Sequence, residues 1–330
     1  MSGGSPLLVV EDLRTYVFTA GGVVRAVDGV SFAVAAGEAM GLVGESGCGK
    51  SMTCHSIIRL LPPAARTVGG AIYLDGEDLL AKSEAEMITY RGKKIAMILQ
   101  DPLMSLDPVF TVGDQVGEIF RLENPRWTRT TVAGKVVDIL KRVKIPAAER
   151  RLRSYPFEFS GGMRQRVVAA MAMARSPRLL IADEPTTALD VTIQDQFLRL
   201  LKEMQTESGM GLILVTHNLG IVAEVCHTVA IMYAGRIVEY GTVERVYGEP
   251  AHPYTRGLME ALPRLGVKKS RLYQIEGEPP DLCCLPLGCH FHPRCREAMD
   301  ICRREYPPTV DLAAGGRAAC WLLAEEGLTT

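Results

Sequence analysis

The sequence lacks any run of about 18 or more apolar residues, the length that a helix needs to cross a membrane. Its first residues also lack a basic segment followed by an apolar one, which is the pattern of a secretory signal peptide. It contains no internal repeat and no low-complexity tract. We therefore expect a cytosolic globular protein whose nine cysteines are mostly reduced.

Charge of one sign is not in excess either, since 37 Lys and Arg residues balance 38 Asp and Glu residues and the formal net charge is −1. This balance does not favour an anionic surface as a partner, and we expect no nucleic-acid partner. Hydrophobic residues make up 47% of the 330 positions, which is typical of a globular protein. The length suits one large domain or two modest ones.

Short apolar segments alternate with segments of helical periodicity over much of the chain. The predicted strands are Leu7–Val10, Met40–Val43, Ile95–Leu99, Leu179–Ala182, Leu212–Val215 and Val229–Tyr233. The predicted helices are Ser51–Leu61, Thr130–Val143, Gly162–Arg175, Thr192–Glu207 and Leu219–Cys226. This alternation predicts an α/β fold with a largely parallel sheet and helices on both faces.

Two segments depart from this alternation. Residues from about Asp101 to Ser160 carry almost no strand signal, which predicts an inserted helical subdomain. From Glu249 onward the composition shifts to Pro, Cys, His and Arg, which predicts a loop-rich tail rather than another α/β layer. We therefore predict one domain over residues 7–248, with the helical subdomain at about 101–160, and a C-terminal extension over 249–330.

A glycine-rich segment, Gly44–Ser51, follows the predicted strand Met40–Val43 and opens a helix, as the G-x-x-x-x-G-K-[ST] phosphate loop requires. Glycines allow backbone N–H groups to turn toward an anion, and the helix N-terminus adds positive potential. Lys50 is predicted to reach the β and γ phosphates of a nucleotide, and Ser51 to bind Mg²⁺. The predicted nucleotide-binding residues are Gly44, Glu45, Ser46, Gly47, Cys48, Gly49, Lys50, Ser51 and Met52.

The predicted strand Leu179–Ala182 is followed directly by two acids, Asp183 and Glu184. Open α/β sheets bind ligands beyond the carboxyl ends of their strands. Asp183 is predicted to hold Mg²⁺ directly or through water, and Glu184 to polarise the water that attacks the phosphate.

The segment Phe159–Arg166, just upstream of the acidic strand, resembles the Leu-Ser-Gly-Gly-Gln signature of ABC ATPases. Phe159 and Met163 differ from that pattern, so the contacts implied here are those of Ser160 and the backbone. The resemblance implies a P-loop ABC ATPase core, in which a RecA-like parallel sheet carries an antiparallel edge part. It also implies head-to-tail dimers, in which Ser160, Gly161, Gly162 and Met163 contact the ATP of the partner.

Further motifs of that family occur in the family's order. Gln100 resembles the Q-loop glutamine, which contacts Mg²⁺ and water. Ala188–Asp190 resembles the D-loop, with Asp190 at the dimer interface. His217 resembles the switch histidine near the γ-phosphate. The resemblance implies that Glu184, His217 and Gln100 take part in catalysis. It also implies that Ser51, Gln100 and Asp183 bind Mg²⁺. Tyr16 is the candidate for stacking on adenine, with Phe18 as the alternative.

Two segments, Gln100–Pro108 and His252–Arg256, resemble the ATPases of oligopeptide/dipeptide permeases. The resemblance implies an ATP-hydrolysing subunit of an importer at the cytoplasmic face of the membrane. Its implied partners are a second, homologous ATPase, two transmembrane permease subunits and, indirectly, an extracytoplasmic binding protein. The alternative is a soluble ABC-type ATPase, but the chain has neither the two cassettes nor the long coiled-coil insertion usual there. An iron–sulfur electron carrier does not explain the intact ATPase motifs.

Four cysteines of the tail, Cys289, Cys295, Cys302 and Cys320, are separated by 5, 6 and 17 residues. Four thiolates suit a [4Fe–4S] cluster or a tetrahedral zinc site, and reduced cysteines without a metal are the third possibility. The resemblance to the permease ATPases favours the [4Fe–4S] cluster in a structural role. We expect the loss of one of these thiols to loosen the tail and to leave the phosphate loop largely unchanged.

Overall fold

The computed structural model describes residues 6–101, 105–187, 189–262, 273–313 and 315–326. The chain forms two compact units, of which the first comprises Met1–Ala81 and Leu214–Thr330 and the second comprises Lys82–Ile213. The second unit includes the predicted helical subdomain, and the predicted tail belongs to the first unit.

The elements are as follows. The strands are β1 Leu8–Thr19, β2 Gly22–Val34, β3 Ala39–Val43, β4 Ala65–Leu74, β5 Glu77–Asp78, β6 Ile95–Ile98, β7 Leu179–Asp183, β8 Gly211–Thr216, β9 Thr228–Tyr233, β10 Arg236–Thr242, β11 Thr309–Asp311 and β12 Arg317–Ala319. The α-helices are α1 Lys50–Ile58, α2 Glu84–Tyr90, α3 Val112–Glu123, α4 Arg129–Arg142, α5 Ala148–Arg151, α6 Gly161–Met173, α7 Val191–Ser208, α8 Leu219–Val225, α9 Val243–Gly248, α10 Pro253–Glu260 and α11 Trp321–Glu326. Short 3₁₀ helices cover Pro156–Glu158, His292–Arg294 and Ile301–Arg303.

The first unit begins with an antiparallel sheet in the order β2-β1-β4-β5. The sequence predicted only the start of β1, because β1 and β2 are irregular: register shifts interrupt their pairing at several points. β1 also pairs with β4, again with register shifts. Such irregularities break the strict alternation of apolar and polar residues by which strands are recognised in a sequence.

The buried strand β3 pairs in parallel with β9 in the first unit, and β9 pairs antiparallel with β10. The tail continues this sheet, because β12 pairs with β10 and β11 pairs with β12. The tail thus adds two short strands to this sheet, which the sequence did not predict. Each of these two tail strands has three residues, which is too short to show a periodicity.

The second unit contains the parallel pair β6 and β7, with Ile95 opposite Leu179 and Ile98 opposite Ala182. Its described residues between 105 and 160 form helices and no strand, as predicted. Helices α3 and α4 bury apolar side chains such as Val116, Phe120 and Val136. Among the residues that the structure covers, no helix combines the length and the apolar character that crossing a membrane requires.

A buried carboxylate organises the junction between β10 and the tail. Glu239 is fully buried, forms an ion pair with Arg245, and accepts N–H bonds from Ala251 at 2.9 Å and His252 at 2.8 Å. Arg245 is itself nearly buried, with 8% of its side chain exposed. The ion pair therefore fixes the turn that leads into α10.

We predict that Glu239→Ala destabilises the protein by about 3–5 kcal/mol, because it leaves a buried arginine and two backbone N–H groups without their acceptor. Asp195→Ala is the matched control, since Asp195 pairs with Arg199 on the exposed surface of α7 and its loss costs at most about 1 kcal/mol. Chemical denaturation of both variants measures the difference. Equal losses in the two variants would contradict the role of Glu239.

Candidate functional site

The phosphate loop, residues 44–51, runs from β3 into α1 in the first unit. A Cβ atom at Gly44 would lie 2.2 Å from the carbonyl oxygen of Met232, and one at Gly49 would lie 2.0 Å from that of Ala26. Gly49 has a φ of 107° and Gly47 a φ of 77°, which glycine adopts readily and other residues do not. Sterics therefore require glycine at two of the predicted positions, and backbone conformation favours it at Gly47 as well.

The predicted phosphate lysine lies inside this loop. Lys50 is 5% exposed, and its Nζ donates to the carbonyl oxygens of Gly44 and Glu45, both at 2.9 Å. An ammonium held by two neutral carbonyls is available to an anion that offers stronger acceptors. The position of Lys50 thus fits its predicted role.

The rim of the loop is open, since Ser46, Gly47 and Ser51 are exposed while Cys48 is buried. Burial raises the pKa of the Cys48 thiol, so that it stays protonated at neutral pH and packs without chemistry. Met52 is half-buried in the first turn of α1. The N-cap residue of this helix, Gly49, makes no side-chain capping bond, which suits the predicted anion contact.

The predicted adenine-stacking residue is anchored at its hydroxyl. The Tyr16 hydroxyl donates to Asp28 Oδ1 at 2.7 Å, and Arg236 forms an ion pair with Asp28 at 2.8 Å. Although burial opposes the ionisation of Asp28, the bonds from Tyr16 and Arg236 lower its pKa. The alternative, Phe18, is 46% exposed. Both rings belong to β1, so the choice between them stays a prediction.

His217, the predicted switch histidine, lies directly after β8 and is exposed. The next residue, Asn218, is the N-cap of α8, and its side chain accepts from Gly220 N–H at 2.9 Å. The strand end and the cap therefore set the backbone of His217 in the first unit.

In the second unit, Gln100, Asp183 and Glu184 lie at the carboxyl ends of the paired strands β6 and β7. Gln100 Nε2 donates to Glu184 Oε2 at 3.3 Å, so two predicted catalytic side chains are in contact. Asp183 is the last residue of β7 and is 5% exposed, whereas Glu184 is half-buried. A strand pairing thus brings together residues that are 84 positions apart.

Glu184 has a φ of 44°, which is uncommon for a residue other than glycine. The Thr187 hydroxyl donates to the Glu184 carbonyl at 3.2 Å and also lies 3.1 Å from its Oε2. Contacts on both the backbone and the carboxylate hold the residue in this conformation. Such local strain is often found where a side chain must be aimed at a reaction.

The signature segment caps α6. Ser160 is the N-cap and its Oγ accepts from Met163 N–H at 3.3 Å. A Cβ atom at Gly162 would lie 2.4 Å from Ile193 Cγ2, so this glycine allows α6 to approach α7 closely. Ser160 is exposed, and Gly161 and Met163 are half-buried. The helix N-terminus is therefore accessible, as the predicted anion contact requires.

Asp190 is the N-cap of the adjacent helix α7, where its Oδ1 accepts from Ile193 N–H at 3.0 Å. Its side chain is engaged in capping, and the predicted contact with a partner stays a prediction. Ala188 of the predicted D-loop lies outside the described residues, as do residues 102–104 of the segment Gln100–Pro108.

The tail contacts the phosphate loop, which the sequence did not predict. Arg294 donates to both carboxylate oxygens of Glu45, at 2.8 and 3.1 Å, and the Tyr254 hydroxyl accepts from Glu45 N–H at 3.1 Å. The expectation that the loss of one of the four tail thiols leaves the loop largely unchanged stays a prediction. Only the resemblance of the segment His252–Arg256 drew attention to Tyr254, and no sequence signal singled out Arg294.

The four predicted cysteine ligands lie within electrostatic reach of one another. Burial raises the pKa of Cys289 to about 12 and that of Cys320 to about 11, and it also raises the pKa of Cys295, with smaller contributions from the neighbouring thiols. Cys289 N–H donates to the Cys302 carbonyl at 2.8 Å. Within the described ranges, however, no group of three or more His, Cys, Asp or Glu residues has an arrangement that could hold a metal ion.

Two family descriptions match the sequence. The description "ABC transporter" matches residues 27–187, which include the phosphate loop, the signature segment and Glu184. The description "Oligopeptide/dipeptide transporter, C-terminal region" matches residues 238–302, which include Arg294 and three of the four predicted cysteine ligands.

Curated relatives are similar over nearly their whole length. The probable peptide ABC transporter ATP-binding protein y4tR of Sinorhizobium fredii is 50% identical over 96% of this chain and 94% of its own. The dipeptide transport ATP-binding protein DppD of Bacillus subtilis is 47% identical, with the same coverage. The oligopeptide transport ATP-binding protein OppD of Haemophilus influenzae is 45% identical over 98% of this chain and 99% of its own.

Solved structures share the fold. The ATP-binding cassette MJ0796, in a dimeric post-hydrolysis state with ADP and Pi, is 23% identical with a TM-score of 0.64, covering 72% of this chain and 98% of that one. The structure of cbiO1 from Clostridium perfringens is 27% identical with a TM-score of 0.63, covering 74% of this chain and 92% of that one. The first likeness supports the fold alone.

Proposed function

Because this chain belongs to the ABC transporter ATP-binding family, and is accordingly an ATP-hydrolysing subunit, we propose that it energises an importer of di- or oligopeptides. The observation that carries the proposal is the presence, in one chain, of the phosphate loop and a C-terminal region of the oligopeptide/dipeptide transporter type. The names of the relatives support the same cargo. Peptide uptake by the assembled transporter, and its loss when Glu184 is replaced, test this function.

Residues of the phosphate loop and of β1 bind the nucleotide in this proposal. The backbone N–H groups of residues 46–52 and the N-terminus of α1 hold the phosphates, and Lys50 exchanges the carbonyls of Gly44 and Glu45 for phosphate oxygens. Tyr16 or Phe18 stacks on adenine. Ser51, Gln100 and Asp183 would hold Mg²⁺, and their hydroxyl, amide and carboxylate oxygens are the donors that this ion prefers.

Bound Mg²⁺ neutralises charge on the transferred phosphate. Glu184 acts as the general base that accepts a proton from the attacking water, and its bond from Gln100 orients the carboxylate. His217 contacts the γ-phosphate. Ser160, Gly161, Gly162 and Met163 face the ATP of a second ATPase subunit, and Asp190 lies at that interface, so that binding of ATP closes a head-to-tail dimer.

We further propose two transmembrane permease subunits as partners and a peripheral position at the cytoplasmic face of the membrane. An extracytoplasmic binding protein would deliver the peptide. The relatives are named as transport proteins, which favours this function over that of a soluble ATPase without a transport partner.

The tail carries a proposal of its own, namely that Cys289, Cys295, Cys302 and Cys320 hold a [4Fe–4S] cluster with a structural role. The mutual influence of their thiols on pKa supports it, because the groups must be neighbours to exert that influence. The raised pKa values mean that metal binding must displace protons from these thiols. Zinc, or no metal, are the alternative outcomes.

Replacing Lys50 tests the phosphate loop. We predict that Lys50→Ala weakens ATP binding by about 1.5–3 kcal/mol, the usual value of a hydrogen bond to a charged group. Lys93→Ala is the matched control, because Lys93 is exposed and lies outside the proposed site. Titration calorimetry with the full chain measures both affinities. Equal affinities of the Lys50→Ala variant and the unaltered chain would refute the assignment of the loop.

Replacing Glu184 separates chemistry from binding. We predict that Glu184→Gln retains ATP affinity and lowers the rate of hydrolysis by about 10²–10⁴, the usual contribution of a positioned base. Glu207→Gln, on the exposed end of α7, should change neither. The assay uses the assembled transporter, with both ATPase subunits altered. Near-normal hydrolysis and peptide uptake in that complex would overturn the role of Glu184.

Metal analysis tests the tail. We predict that anaerobically purified protein contains about four irons per chain and absorbs broadly at about 400 nm. Serine at any one of the four proposed ligands should remove the iron, whereas Cys283→Ser should retain it, because Cys283 is exposed and not one of the four. Stoichiometric zinc without iron would refute the cluster, and metal-free protein would refute any metal role.

A further inference from the structure

We propose that Arg294 of the tail is a positioning residue for ATP binding, because it neutralises Glu45 and fixes the start of the phosphate loop. The proposal rests on the assignment of residues 44–51 as the ATP site. It adds a residue that no ATPase motif in this sequence contains, 249 positions away from its partner.

Arg294 and Glu45 form a two-fold hydrogen-bonded ion pair. The guanidinium donates from Nη1 to Oε2 at 2.8 Å and from Nη2 to Oε1 at 3.1 Å, which is the planar geometry that arginine provides and lysine does not. The side chains are 6% and 25% exposed, respectively, so solvent screens the pair only in part.

Further bonds from the first unit hold the arginine in place. Its Nε donates to the Glu276 carbonyl at 3.1 Å, and Nη1 lies 3.4 Å from the Tyr233 hydroxyl. Arg294 ends the short helix His292–Arg294 and directly precedes Cys295. The fold of the tail therefore determines where this positive charge lies.

The backbone of Glu45 is held by the tail as well. Tyr254 is fully buried, and its hydroxyl accepts from Glu45 N–H at 3.1 Å. Burial lowers the pKa of His252 to about 3, so its neutral ring accepts from Tyr254 N–H at 3.0 Å. Both the carboxylate and the amide of Glu45 are thus bound by residues outside the loop.

The consequence for ATP follows from charge. Glu45 is the second residue of a loop whose proposed ligand is a polyanion, and like charges at short range oppose binding. With Arg294 in place, the positive guanidinium compensates the negative charge of the carboxylate. The two hydrogen bonds between the groups also attach the loop to the tail at two points. Without Arg294, the carboxylate adds negative charge beside the phosphates and is free to compete for Lys50, which already contacts the Glu45 carbonyl.

If Arg294 served only to hold the tail together, its loss would have a different effect on nucleotide affinity. Loss of a purely structural contact weakens the binding of all adenine nucleotides alike and is not repaired by a further change in the loop. Loss of charge compensation weakens ATP more than ADP, and removal of the Glu45 charge repairs it.

The experiment measures the dissociation constants of ATP and ADP with the full chain, for Arg294→Ala, Arg294→Lys and the double variant Arg294→Ala/Glu45→Gln. Arg296→Ala is the matched control, because Arg296 is an exposed arginine of the same tail that pairs with Glu276. Thermal unfolding establishes that each variant is folded, and Arg294→Lys retains a positive charge should Arg294→Ala fail to fold.

We expect Arg294→Ala to weaken ATP binding about tenfold or more, and ADP binding less. The double variant should regain most of the lost affinity, Arg294→Lys should lose less than Arg294→Ala, and Arg296→Ala should match the unaltered chain. Each of four results would overturn the proposal. The first two are a change in ATP affinity of less than about twofold in Arg294→Ala and equal losses of ATP and ADP affinity. The others are no recovery of affinity in the double variant and a similar loss in Arg296→Ala. Binding that is insensitive to Lys50→Ala would refute the site itself, which is a separate result.

Discussion

The phosphate loop is packed so closely against neighbouring backbone that two of its residues can have no side chain. A Cβ atom at Gly49 would collide with the carbonyl of Ala26 in β2, and one at Gly44 would collide with the carbonyl of Met232 in β9. The loop backbone is also bonded on this side, since Gly235 N–H donates to the Cys48 carbonyl at 2.9 Å. The position of the N–H groups proposed to bind phosphate therefore depends on β2 and β9, and a displacement of either strand would move the loop.

The tail is part of the same arrangement. Fully buried Glu239 fixes the turn at Ala251 and His252, which places Tyr254 against Glu45 N–H. Arg294 reaches the carboxylate of the same residue from a different segment of the tail. Because β12 also pairs with β10, the C-terminal region is joined to the unit that carries the phosphate loop through both main-chain and side-chain bonds. The proposed effect of Arg294 on ATP affinity depends on this connection.

The chemistry proposed for hydrolysis depends on a different constraint, in the second unit. The parallel pairing of β6 with β7 brings Gln100 to Glu184, and Glu184 is held at a positive φ by the residues that follow it. A carboxylate held in this way does not need to be ordered when the nucleotide arrives. The first unit thus carries the phosphate loop, and the second carries the proposed base and the signature segment.

Local pattern was sufficient to predict several elements of this protein. A continuous apolar run identifies β3, β7 and β9, helical periodicity identifies α7, and the phosphate loop follows from residue type and spacing, whereas the signature segment was identified by its resemblance to ABC ATPases. Pattern was not sufficient for β10, the long irregular β1 and β2, or the three-residue strands of the tail. These strands form because a neighbouring strand offers hydrogen bonds, which a single segment does not reveal. For the same reason the ion pair between Glu45 and Arg294 was decided only by the tertiary structure, since two charges 249 positions apart become partners only when folding places them side by side.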